Sequence, residues 1–230
     1  MQIDIVTIFP KMFAPVLNES IIKRAQEKKK VKITIYDLRD FSQDKHRKVD
    51  DRPFGGGAGM VMNAAPFFAA VENILKGKKK TAGTRVVLLT PRGKRLNQSA
   101  ARRLSHLRHL ILLCGHYEGI DERVSKIVDE EISIGDYVLT GAELPAMVLV
   151  DAITRLIPGV LGHKDSANFE SFEQGLLEYP QYTRPAEFRG MKAPAILLTG
   201  DHRKIAAWRQ QQALIITRKK RPELLKNREE

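Results

Sequence analysis

Two glycine-bearing loops hold residue types from which a ligand pocket can be built. One is Gly115-His116-Tyr117-Glu118-Gly119; the other runs from Ile134-Gly135-Asp136 to Gly141. Glycine has no Cβ, so backbone N–H and C=O groups beside it can approach a flat ligand closely. An adenine or adenosine is the kind of ligand such groups read, with Ile134, Tyr137 and Leu139 as apolar walls. The glycine-rich run Gly55-Gly56-Gly57-Ala58-Gly59 is a different case. It lacks the Gly-Lys-Ser/Thr of a phosphate loop and the spacing of a dinucleotide fingerprint. Asp44, His46, Asp50 and Asp51 are interleaved with Lys45, Arg47 and Lys48, which argues against a metal site.

The elements that must position the two loops are legible in the hydropathy pattern. Leu110–Leu113 is an apolar run of strand length, ended by Cys114 and Gly115, and Ile132–Gly135 is a second short strand. Asp121 is placed to cap a helix between them. Upstream, Ile3–Ile8, a helix capped by Ser20 and running to about Lys28, and Val31–Tyr36 open the chain as β-α-β. Asn63–Leu75 reads as a helix and Arg85–Leu89 as a strand that turns sharply at Thr90-Pro91-Arg92-Gly93. A helix then starts at Asn97 or Ser99. Leu144–Ile157 is apolar on nearly every side, with Pro145 in its first turn, so it is buried in a core or in a dimer interface. Asp151 and Arg155 are spaced to pair along it. Pro158–Asn168 has a linker's composition, and a last helix spans about Asp201–Arg218 with Ile205, Trp208 and Ile215 on one face. In an open α/β sheet, ligands bind at strand ends of this kind.

Composition narrows the partners. Thirty-nine Lys/Arg against 27 Asp/Glu give a net charge of +12. Residues 76–108 hold eleven Lys/Arg and no acid, and residues 201–228 hold nine against Asp201 and Glu223. Charge concentrated in blocks reads as a phosphate footprint, and so as nucleic acid. A single cysteine excludes a disulfide framework and a cysteine-held iron–sulfur cluster, and with it the radical chemistry that needs three cysteines on such a cluster. No apolar run approaches the roughly 20 residues of a membrane span, and the N-terminus does not read as a signal peptide, so a cytoplasmic protein is expected.

The strings CGHYEGIDER and SIGDYVLTGAELPAM, with DKHRKVDDRPFGGGAGM before them and GLLEYPQYTRP after, resemble the bacterial tRNA (guanine-N1)-methyltransferases, the TrmD family of the SPOUT class. The resemblance covers nearly the whole chain. It implies an α/β fold with a parallel sheet whose C-terminal part is tied in a trefoil knot around S-adenosylmethionine, plus a small C-terminal helical domain. The domains expected are 1–160 for the methyl donor, 161–175 as flexible linker and 176–230 for tRNA. The reaction implied is methylation of N1 of guanosine 37, beside the anticodon, in a homodimer with its active site between subunits. A SPOUT ribose 2′-O-methyltransferase and a non-catalytic RNA-binding protein are the alternatives. Mg²⁺ is not legible in the sequence.

By the same resemblance a third loop, Leu89-Thr90-Pro91, joins Gly115, Tyr117, Glu118, Gly119, Ile134, Gly135, Asp136, Tyr137, Val138, Leu139, Gly141 and Pro145 around the donor. Glu118 is expected at the donor's ribose or amino group rather than as a second catalytic acid. The Asp40–Ala58 segment is expected to close over the site and contact RNA. The family's aspartate base, directly before Ser-Phe, is Glu170 here, with Asp165 as substitute; Arg155 is expected to orient donor and target. His116 stands where the family has arginine, Ala142 where it has glycine and Thr90 where it often has serine.

Overall fold

Five strands form one parallel sheet in the order β2-β1-β6-β5-β8: β1 (Gln2–Thr7), β2 (Lys32–Asp37), β5 (Thr84–Arg95), β6 (His109–Cys114) and β8 (Glu130–Ser133). The computed structural model describes residues 1–77, 79–162 and 170–226, and it divides into two units, Met1–Gly162 and His163–Glu230. The sheet belongs to the first. Its other elements are α1 (Ala14–Leu17), α2 (Ser20–Glu27), β3 (Asp50–Asp51), β4 (Val61–Met62), α3 (Ala64–Leu75), α4 (Gln98–Ser105), β7 (Gly119–Ile120) and α5 (Glu143–Thr154).

Strands covered on both faces should read as continuous apolar runs, and β6 does. Successive side chains point to opposite faces. Leu110, Leu112 and Cys114 therefore pack with Phe13, Ile22, Leu104, Leu149 and Ile153 beneath α1, α2, α4 and α5. Ile111 and Leu113 pack with Phe67, Ala70, Val71 and Ile74 of α3 on the other side. All five named β6 residues are inaccessible to solvent.

Two expectations shift in detail. Ser20 does not cap α2; Glu19 takes that position without a side-chain bond. Asp121 does cap, accepting from the Arg123 amide at 2.9 Å, but the element it starts is a short 3₁₀ turn, Glu122–Lys126.

A larger difference lies in β5, which does not end at Leu89. Its register with β8 jumps from Leu89↔Ile132 to Lys94↔Ile132, so Thr90–Gly93 bulge out and the strand resumes. The edge strand β8 still has backbone groups to satisfy, and Leu96 N–H accordingly donates to Ser133 O at 2.7 Å.

In the second unit, β9 (Glu187–Phe188) and β10 (Met191–Lys192) form a hairpin, followed by α6 (His202–Lys220) and α7 (Glu223–Lys226). The inner face of α6 departs from the expected one at Ile215: Ile205 and Trp208 are half-buried, but Ile215 is exposed, while Ala213 and Thr217 are buried. Thr217 is held there because its hydroxyl donates to Ala213 O at 2.7 Å and accepts from Leu177 N at 2.8 Å. The expected linker falls largely on residues 163–169, outside the described residues.

Gly93 carries the bulge, because a Cβ there would lie 2.4 Å from Ile132 N and 2.5 Å from Glu131 C. Both are backbone atoms and cannot yield singly. Gly93→Ala should destabilise the chain by about 1–3 kcal/mol, as overpacking does, read as a lowered urea midpoint; an unchanged midpoint would show that β8 gives way freely.

Candidate functional site

The bulge within β5 and the loops that leave the sheet after β6 and β8 ring one cavity of about 370 Å³. That volume lies within the range of small-molecule and cofactor pockets. Every residue expected around the donor lines it except Asp136, whose carboxylate turns away to Arg95 at 3.2 Å. Sequence reasoning missed Leu88, Ile120, Ile132 and Ser133 as lining residues, covered Arg92 and Thr140 only as members of the loops, and flagged His116 and Ala142 only as departures. Leu88 and Ile132 are buried strand residues with no polar signal, so nothing in the sequence marks them as lining a cavity.

The loops after β6 and β8 are fastened to each other. Ala142 N–H donates to Gly115 O at 2.9 Å, and His116 pairs with Gly141 in an isolated antiparallel bridge. A Cβ on Gly141 would stand 2.4 Å from Glu143 Oε2 and 2.5 Å from His116 Nδ1. The loop after β8 is also closed on itself: Ser133 Oγ donates to Gly135 O at 3.0 Å and accepts from Gly135 N at 3.2 Å. Gly135, at φ 156°, has no room for a Cβ, which would meet the Tyr137 ring at 2.4 Å.

Behind the loops, Glu143 is 2% exposed and accepts a hydrogen bond from Thr7 Oγ1 at 2.8 Å, joining the start of α5 to the end of β1. Burial, aided by the nearby Glu143 charge, pushes the Cys114 thiol well above its ordinary pKa. A thiol held neutral is no nucleophile.

On the outer side, β4 pairs with β7, and Glu118 N–H donates to Met60 O at 3.1 Å. Gly59 makes room for the Glu118 side chain, since a Cβ would lie 2.4 Å from its Cγ. The glycine-rich segment is thereby attached to the cavity rim. Tyr117, at φ 59°, packs edge-on to His116 with ring centroids 4.8 Å apart. Partial burial, with a hydrogen bond to Asp50, raises its phenol above the ordinary value. The His116 ring also meets Phe9 edge-on at 5.0 Å, and its Nδ1 is buried without a partner among the described residues.

The other expected site residues lie elsewhere. Arg155 is the half-buried C-cap of α5 and does not line the cavity. Glu170 belongs to the second unit, where it lines a smaller cavity of about 150 Å³ with Tyr179 and Arg209 among others. Asp165 lies outside the described residues. Among the described residues no group of three or more His, Cys, Asp or Glu could hold a metal, and no helix is long and apolar enough to cross a membrane.

The basic block at 76–108 is less free than its composition implies. Lys80 pairs with Asp129 at 2.6 Å, Arg103 with Glu130 at 2.6 Å, and Arg92 with Glu122 at 3.0 Å. With Arg95–Asp136, acids from 122–136 answer much of this charge, leaving less of it for phosphates.

The family profile described as tRNA (Guanine-1)-methyltransferase TrmD matches residues 1–227. The chain is 56% identical over 226 residues to the tRNA (guanine-N(1)-)-methyltransferase of Moorella thermoacetica, covering 98% of this chain and 90% of that one. It is 57% identical over 225 residues to the protein of that name from Dictyoglomus turgidum, with coverage of 98% and 90%. For the Heliobacterium modesticaldum protein of that name the figures are 58% over 228 residues, 98% and 84%.

If the cavity takes S-adenosylmethionine, Gly135→Ala should weaken that binding. Moving the Tyr137 ring by the strain of an overpacked site, about 1–3 kcal/mol, corresponds to roughly 5- to 150-fold in the dissociation constant. Titration calorimetry reads this directly, and unaltered affinity would remove the loop after β8 from the binding site.

Proposed function

The chain belongs to the TrmD family of tRNA (guanine-1)-methyltransferases, and from that premise we propose how its residues divide the work. It is an S-adenosylmethionine-dependent enzyme that methylates guanine N1 in tRNA, and the guanosine proposed is number 37, beside the anticodon. The donor is assigned to the three-loop cavity. The observation that carries this is the convergence of 90–92, 115–120 and 134–142 on one space of about 370 Å³, in a chain matched by the family over residues 1–227.

The residues present suit such a ligand. Leu89, Ile134 and Leu139 line the cavity as apolar surface, and Gly135 and Gly141 occupy positions where a Cβ would collide. Backbone amides and carbonyls are thus the groups nearest a flat purine. When bound, S-adenosylmethionine supplies a methyl group activated by its sulfonium, so no covalent enzyme intermediate is required. What the chain must add concerns the acceptor. Guanine N1 carries a proton at neutral pH, and its lone pair becomes available only when a base within about 3 Å removes it. Glu170 is assigned that role, with Asp165 as substitute. Arg155 is assigned to offset the charge that develops at O6, as a preorganised cation does.

Three finer readings accompany this one. A trefoil knot is supported by the course of the chain after β8: it leaves an edge strand, passes β5 and lies against the loop of the central strand β6. A homodimer is supported by the outer face of α5, where Leu144 is 52% and Val148 47% exposed. The second unit, with its basic α6, is assigned to tRNA, in the cytoplasm.

Incubation with labelled donor and unmodified tRNA should place label in N1-methylguanosine at position 37. Label in ribose, or none, would overturn the reading. Glu170→Gln should slow single-turnover methyl transfer by about 10²–10⁴-fold, the usual contribution of a general base. A near-full rate would pass the role to Asp165.

A further inference from the structure

The second unit displays an apolar tip that its own core does not use. The β9–β10 hairpin pairs Phe188 with Met191 and Glu187 with Lys192, leaving Arg189-Gly190 as a two-residue turn. Both turn residues have positive φ, 51° and 76°, the backbone that matches the twist of tight hairpins. Ala193 N–H donates to Ala186 O at 2.8 Å and closes the stem. Phe188 and Met191, directly opposite each other, are 55% and 65% exposed. The Arg189 guanidinium lies 5.2 Å from the Phe188 ring centroid.

Charge decides what such a tip fits. Residues 170–226 hold eleven Lys/Arg against six Asp/Glu, a surplus of five, on a chain that is +12 as a whole. A second copy would bring a like-charged surface, whereas a polyanion is complementary. Two further arginines in this unit lie over aromatic rings, Arg209 over Tyr179 at 4.8 Å and Arg221 over Phe172 at 5.7 Å. An aromatic face beside a cation is how proteins hold unpaired bases, because every base has a π-face while the cation answers the phosphate.

We propose that the Phe188–Met191 tip docks on a single-stranded loop of the tRNA substrate, Phe188 stacking on an unpaired base and Arg189 pairing with an adjoining phosphate. The turn is already formed, so little ordering cost falls on the protein when the base arrives. The proposal rests on tRNA being the substrate.

The experiment compares Phe188→Ala and Phe188→Trp with the unaltered protein, measuring tRNA affinity, KM for tRNA, S-adenosylmethionine affinity and sedimentation. Phe188→Ala should weaken tRNA binding by about 5- to 100-fold and raise KM for tRNA, with donor affinity and sedimentation unchanged. Phe188→Trp should retain tRNA affinity, and its added fluorescence should be quenched by tRNA. Unaltered tRNA binding by Phe188→Ala, equal loss in both variants, or a changed sedimentation coefficient would overturn the proposal. Absence of methyl transfer by the unaltered protein would instead overturn the substrate reading on which it rests.

Discussion

The hydrogen bond from Ala142 N–H to Gly115 O is the constraint on which the site depends. β6 and β8 are separated by β5, so their ends stand about two strand spacings, roughly 10 Å, apart. Loops leaving such strands have no reason to meet. Here the loop after β8 crosses that gap, and the Ala142–Gly115 bond with the His116–Gly141 bridge fixes it there. The cavity is the space enclosed by that crossing, with the β5 bulge closing its third side.

Packing behind the crossing makes it rigid. Gly141 stands where any side chain would strike Glu143 and His116, and Glu143 is tied to Thr7 at the end of β1. Removing a buried acceptor's partner costs more than the bond itself gains, since the acceptor is left without water. The Thr7–Glu143 pair thus links a residue at the start of the chain to one 136 positions later, and the loop lies on that link. Cys114, beneath it, serves as an apolar filler with a neutral thiol.

Electrostatics divide the two units. In the first, acids of the 122–136 segment pair with Lys80, Arg92, Arg95 and Arg103. Exposed pairs of this kind add little stability, but they lower the field that the basic block would otherwise present. In the second, Lys204 and Arg221 pair with Asp201 and Glu223, while Arg189 and Arg209 lie over aromatic rings, an arrangement that leaves the charge of those two arginines available to a partner. The sequence's two basic blocks are therefore not equivalent, although their compositions are alike.

Much was legible in the residues alone. The apolar run at 110–113 fixed a buried strand, because only a strand of that length satisfies its backbone while hiding every side chain, and glycines at 115, 119, 135 and 141 marked the places of close approach. Local chemistry of this kind acts through neighbours along the chain, so it survives in a string of letters. What the string could not carry was register and pairing across distance. The resumption of β5 after Gly93, the turning of Asp136 to Arg95, the ion pairs that cover the first basic block and the burial of Thr217 in place of Ile215 each depend on partners tens of residues away or on an unsatisfied backbone edge. Those choices are made by sterics and hydrogen-bond satisfaction once the sheet has formed, and only the tertiary structure decides them.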